Sequence, residues 1–232
     1  MDYEITPKLL RDVAGYPVNQ NIVNHLAQFL PKVLDDYGIN TKLRIAHFLA
    51  QIAHESAHFR TLEEYASGAA YEGRKDLGNV YKGDGRRYKG RGVIQLTGRA
   101  NYRKYGKLLG IDLEGHPERA SDPEISLRTA AEFWKQNNLN ALADKDDVKA
   151  ITRRINGGYN GLDDRVEKLA RAKKFLHQVT KPVSKEQSLP TKVALNETPE
   201  VDNKPLPTIA RMDLEQSLDD LKGGINENSK EA

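Results

Sequence analysis

Apolar and polar positions repeat at helical spacing through most of the first 178 residues. Ile22, Leu26, Phe29, Leu30 and Val33 share one face of a segment spanning 20–36, the spacing of an amphipathic helix. The next segment, 42–59, follows Thr41, a residue type suited to an N-cap. It carries one stripe of Leu43, Ala46, Ala50, Ala53 and Ala57 and another of Ile45, Phe48, Leu49, Ile52 and Phe59. A helix apolar nearly all round is a buried helix. Further helices are predicted at 98–109, 125–137, 146–155 and 163–177. Between 64 and 97 the periodicity stops, and seven glycines fall from Gly68 to Gly92. So long a loop inside a compact domain is usually functional. The pattern predicts a mainly α domain with one large irregular insertion.

After Gln178 the composition changes. Residues 179–232 hold no Phe, Tyr or Trp and five of the ten prolines. Such a segment buries too little apolar surface to offset its ordering entropy. The expected division is a body over 1–178 and a Pro-rich, disordered tail over 179–232. Leu214, Leu218 and Leu221 allow a short helix at 211–222, ended by Gly223-Gly224. The chain has 232 residues and no cysteine, which excludes disulfides, thiolate metal sites and a cysteine nucleophile. No apolar run approaches the ~18 residues of a membrane span. Met1-Asp2-Tyr3-Glu4 lacks a basic and then apolar leader, so synthesis in the cytoplasm without a signal peptide is expected. The first 178 residues hold 29 Lys and Arg against 23 Asp and Glu, a net +6, and the tail holds seven against ten. A basic body suits an anionic partner, nucleic acid or an anionic wall polymer. An ordinary solvated surface accounts for the charge equally well.

Glu55 lies three residues after Ile52 and seven after Phe48, so it is predicted to continue the second apolar stripe. Burial disfavours a charged carboxyl and keeps it protonated, as a general acid requires. The plainer alternative is a Glu at a fraying helix end, paired with His58 or Arg60. His54-Glu55-Ser56-Ala57-His58 also spells HExxH, which on one helix face is the zinc-peptidase arrangement. Thr61 stands where the longer HExxHxxGxxH form needs Gly, although a distant Glu such as Glu72 could supply a third ligand.

Farther along come Tyr71-Glu72-Gly73-Arg74, then Tyr88-Lys89-Gly90-Arg91-Gly92-Val93-Ile94-Gln95-Leu96-Thr97-Gly98-Arg99-Ala100-Asn101-Tyr102, then Ile155-Asn156-Gly157-Gly158 and Asp163-Asp164-Arg165. With His54-Glu55-Ser56, these blocks resemble the family 19 glycoside hydrolases over roughly 20–178, in the right order. The likeness is to the chitinases and, above all, to the compact cysteine-free phage endolysins. It implies a lysozyme-like, bilobal helical fold with a long catalytic loop. It further implies an inverting β-1,4-glycoside hydrolase acting on N-acetylglucosamine-containing polymer, peptidoglycan or chitin. Glu55 matches the family's general acid and Glu64, nine residues on, its general base, with the adjacent Glu63 leaving that register ambiguous by one. Gln95, Thr97 and Asn101 match a row that binds sugar and positions water. Asn156 matches an asparagine that contacts N-acetyl groups, and Arg165 an arginine that pairs with the acid. His54 and Tyr88 complete the expected substrate contacts. Asn160 stands where plant enzymes have a Glu in the arginine-linked charge network. The resemblance implies no metal and no cofactor, a polysaccharide as the partner rather than nucleic acid, a monomer, and action on the wall after holin-type release or lysis. A zinc metallopeptidase at 54–58 is the competing reading.

Overall fold

Short polar side chains start most of the helices. Thr6 accepts from Leu9 N at 3.1 Å and precedes Pro7, opening α1 (Pro7–Ala14). Asn19 caps α2 (Gln20–Asp36), and Thr41 caps α3 (Lys42–Glu55) by accepting from Arg44 N at 3.3 Å. α4 (Asp84–Arg87) is a single turn within the irregular region, and α5 (Arg99–Leu109) follows it. Asp122, with Pro123 at the first helical position, opens α6 (Pro123–Gln136), where a missing N–H costs nothing. α7 (Leu139–Ala143), α8 (Val148–Asn156) and α9 (Leu162–Phe175) complete the order. The computed structural model describes residues 2–178, and the tail with its predicted helix at 211–222 lies outside the described residues. Among the described residues there is no strand, only bridges pairing Tyr3 with Gln178, Glu63 with Arg91 and Arg91 with Leu96. None of the described helices is long and apolar enough to cross a membrane.

α3 runs along α9 and also meets α1 and α7, while α2 packs on α1 and α6. α6 joins this group to α5 and to the irregular side of the molecule. Phe48 of α3 and Trp134 of α6 meet edge to face at 5.3 Å, and both are buried. Burial of side chains this large contributes about 1.5–3 kcal/mol each. The all-round burial of α3 follows its pattern, since every residue from Ile45 to Ala53 is buried.

The predicted 42–59 helix ends four residues early, at Glu55. Ser56 ends it: its hydroxyl donates to Ile52 O at 2.7 Å and accepts from Phe59 N at 3.0 Å. Ala57, His58 and Phe59 then adopt φ of 51°, 65° and 57°, a left-handed turn that still delivers Phe59 to the core. α1, α4 and α7 escaped the periodicity because each spans eight residues or fewer.

Candidate active site

Buried Glu55 continues the face of Phe48 and Ile52 on α3, as its spacing predicts. It is also the last member of a buried polar row on α3, His47, Gln51 and Glu55, spaced i, i+4, i+8. Each member meets a partner from beyond α3. His47 Nε2 pairs with Asp146 at 2.7 Å. Gln51 Nε2 donates to Thr152 of α8 at 3.5 Å. Arg165 of α9, 1% exposed, donates from Nη2 to Glu55 Oε1 and from Nη1 to Gln51 Oε1, both at 2.5 Å, and from Nε to Asn160 O at 3.3 Å. Glu55 is therefore dry, but it sits against a guanidinium, and burial and the neighbouring cation act on its charge in opposite directions.

The two histidines of the HExxH stretch go separate ways. His54 is on α3, its Nδ1 held by Asp164 at 2.5 Å. Its ring lies on Gly161, where a Cβ would come within 2.2 Å of Cε1. His58 is beyond the helix end, in the left-handed turn, with its ring 4.4 Å from that of Tyr16. The i, i+4 helical face that a zinc peptidase needs is not formed, which corrects the competing reading. Buried Lys168 donates to Asp164 at 2.6 Å and lies 5.2 Å over the Tyr16 ring. Burial alone would push the Asp164 carboxyl up, but the bonds from His54 and Lys168 outweigh it and hold it well below the usual range. Burial, and then the Lys168 charge, pushes the His58 imidazole down.

Glu64 comes from the irregular side. Segments 62–64 and 90–92 bond to one another through Glu64 N to Gly90 O at 3.0 Å and Gly92 N to Leu62 O at 2.7 Å. This pairing holds Glu64, which is buried, while Tyr71 donates to its Oε2 at 2.9 Å. Gln95 reaches the same place: a Cβ on Gly90 would lie 2.8 Å from Gln95 Oε1 and 3.2 Å from Glu64 Oε2. Glycine at 90 thus admits both side chains. Glu63 faces outward, 44% exposed, and pairs with Lys89 at 2.7 Å. That bond holds its carboxyl below the usual range.

Thr97 and Asn101 are buried and tie the same segment together, Thr97 Oγ1 donating to Gln95 O at 2.9 Å and Asn101 Nδ2 to Thr97 O at 2.8 Å. Asn156 ends α8, half-buried, ahead of left-handed Gly157. Tyr88 is 1% exposed, its hydroxyl donates to Glu114 O at 3.0 Å, and its ring packs on Tyr102 and under Arg99. It borders a depression of about 710 Å³ whose lining includes neither Glu55 nor Glu64. Gln51, Tyr71 and Asp164 are site neighbours that the sequence reading missed. For Gln51 the signal was present, as polar residues four apart in a helix otherwise apolar.

Residues 15–156 match the glycoside hydrolase family 19 profile, described as chitinase class I. The chain is similar to a glycosyl hydrolase family 19 domain-containing protein of Haemophilus influenzae, 33% identical over 196 residues, covering 71% of this chain and 95% of that protein. It is also similar to an endochitinase of Arabidopsis thaliana, 38% identical over 123 residues, which are 52% of this chain and only 42% of the plant protein. Among solved structures it resembles chitinase C from Streptomyces griseus, with a TM-score of 0.59 at 20% identity, covering 75% of this chain and 92% of that one. A likeness at that identity speaks for the fold, helical and chitinase-like. The family match spans more than half of the chain and the Haemophilus relative is covered almost end to end, so the chain belongs to glycoside hydrolase family 19 and is a chitinase-like glycosidase.

Proposed function

We propose that the chain hydrolyses β-1,4 bonds of N-acetylglucosamine-containing polymer with inversion, Glu55 acting as general acid and Glu64 as general base. One observation carries this reading. Two buried carboxyls come from separate elements and have unlike partners, a guanidinium at Glu55 and a phenol at Glu64. Carboxyls in unlike surroundings divide into acid and base roles. Glu55 gives its proton to the glycosidic oxygen as the C–O bond breaks. Glu64, accepting from Tyr71 as a carboxylate does, takes a proton from the water that attacks C1. The hydroxyl proton of Thr97 is engaged by Gln95 O, so Thr97 can only accept from that water and fixes its second hydrogen. Asn101, Gln95, His54 and Asn156 supply the remaining sugar contacts. Attack by water on the face opposite the acid needs carboxyls about 6.5–9.5 Å apart, against about 5 Å for a covalent route. A helix end for one and a separate segment pairing for the other support the wide spacing.

Peptidoglycan is the favoured polymer, in the manner of an endolysin, with chitin as the alternative. The net +6 of the first 178 residues favours an anionic wall over a neutral polymer. The test pairs turbidity loss of peptidoglycan with reducing-end release from N-acetylglucosamine oligomers, for the wild type and Glu55→Gln. Turnover of either polymer that Glu55→Gln abolishes supports the mechanism, and faster loss of peptidoglycan supports the substrate. Proton NMR in the first minutes should show the α-anomer from a β-linked oligomer, and early β-anomer would rule out inversion.

A further inference from the structure

A general acid has to hold a proton, yet Glu55 lies against a guanidinium, which favours the carboxylate. The geometry moderates this conflict. Arg165 meets Glu55 through one arm only, Nη2 to Oε1, while its other arm, Nη1, is held by Gln51 Oε1 at the same 2.5 Å. A guanidinium with both arms available grips a carboxylate bidentately, a stronger pair than a one-armed contact. Gln51 stands one helical turn before Glu55, is wholly buried, and has its amide directed to Thr152. It is thus fixed on both sides. Being neutral, it holds the guanidinium without dividing its charge.

We infer that Gln51 is a positioning residue that keeps Arg165 one-armed on Glu55, a weaker hold on the acid than a bidentate pair. The inference rests on the reading of Glu55 as the acid. The other charged and titratable groups here are few. α9 supplies Arg165, Asp164 and Lys168, with Asp164 and Lys168 engaged with His54 and each other. α3 itself carries His54 and His47, the latter paired with Asp146 from the turn after α7, and His58 follows its end. The buried residues of α1 and α7 are apolar.

The two directions of perturbation have opposite signs, which a merely structural role would not produce. In Gln51→Met the freed Nη1 can join Nη2 on Glu55, favouring the carboxylate. The alkaline limb of kcat/KM, which reports ionisation of the acid in the free enzyme, should then move down by about one pH unit. In Gln51→Glu a second carboxylate shares the guanidinium and adds a like charge beside Glu55, while Thr152 can turn its hydroxyl to donate. The limb should then move up by about one unit. The assay follows hydrolysis of a soluble N-acetylglucosamine oligomer across pH for both variants, with circular dichroism melts as a fold check. Limbs that stay with the wild type, or that move the same way, overturn the inference. If Gln51→Met does not fold, Gln51→Glu decides alone, and a limb at or below the wild-type position overturns it. Glu55→Gln separates the two levels: continued turnover there would sink the reading of Glu55, whereas a dead Glu55→Gln with unmoved limbs sinks only the role of Gln51.

Discussion

Ala57→Gly should make the protein more stable, although it removes a side chain from a structured turn. Ala57 has φ of 51°, followed by His58 and Phe59 at 65° and 57°, and no glycine relieves the run. A left-handed conformation costs an ordinary L residue about 1–2 kcal/mol. Glycine escapes that cost but returns about 0.4–1 kcal/mol through its greater freedom in the unfolded chain. The net gain is about 0.5–1 kcal/mol, or about 2 °C in Tm for a domain of this size. Ala53→Gly, four residues earlier, is the control. Ala53 is wholly buried within α3, so glycine there loses about 1 kcal/mol of helix propensity and about 0.8 kcal/mol of methyl burial. Its Tm should fall by about 5 °C. His58→Gly relieves the same backbone cost but loses the ring contact with Tyr16, worth about 0.5–1.5 kcal/mol, and should melt close to the wild type. Thermal melts by circular dichroism read all three. A lower Tm for Ala57→Gly, or equal shifts for Ala57→Gly and Ala53→Gly, would refute the claim that this turn is strained.

Glu64→Gln should cut turnover by at least about 100-fold, as loss of a general base does, whereas Glu63→Gln should change it little, because Glu63 faces solvent with Lys89. Kinetics on a soluble oligomer check this, and the reverse order would move the base by one residue. Gly161→Ala should displace His54, since its Cβ would sit 2.2 Å from the ring at φ 68°. Expected are a lower Tm and a weakened KM together, and an unchanged variant would show that the ring moves freely. For acid stability, the bonds to Arg103, with Arg99 adding to them, pull the Glu114 carboxyl down to about 2. A depressed carboxyl contributes stability above its unfolded value, about 4, and loses it as pH falls through the folded value. The Tm gap between the wild type and Glu114→Gln should therefore be full at pH ~6 and shrink toward pH ~2, and a constant gap would contradict the assignment.

The fold was legible where pattern and capping agree. The burial of α3, its cap at Thr41 and the bounds of α2 follow from the order of apolar residues, because tertiary packing there repeats what the local spacing asks for. The end of α3 was not legible. Phe59 keeps helical spacing and reaches the core, but it does so from a left-handed turn closed by the Ser56 side chain. Periodicity records which side chains are inside, not which backbone brings them there. The same limit applies to Tyr88, whose burial and whose hydroxyl bond to Glu114 O are not written in its spacing.

Glu55 shows how far a stripe argument reaches. Glu55 is buried, as its place three residues after Ile52 and seven after Phe48 predicts. It also closes the polar row of His47, Gln51 and Glu55, whose members find partners in Asp146 after α7, Thr152 of α8 and Arg165 of α9. A carboxyl on an apolar face would lack any partner and would stay neutral by desolvation alone. A carboxyl at the end of a partnered row can be tuned by what its neighbours hold. That difference bears on the site, because the Arg165 guanidinium is shared among Glu55, Gln51 and Asn160 O and is not given to the carboxyl alone.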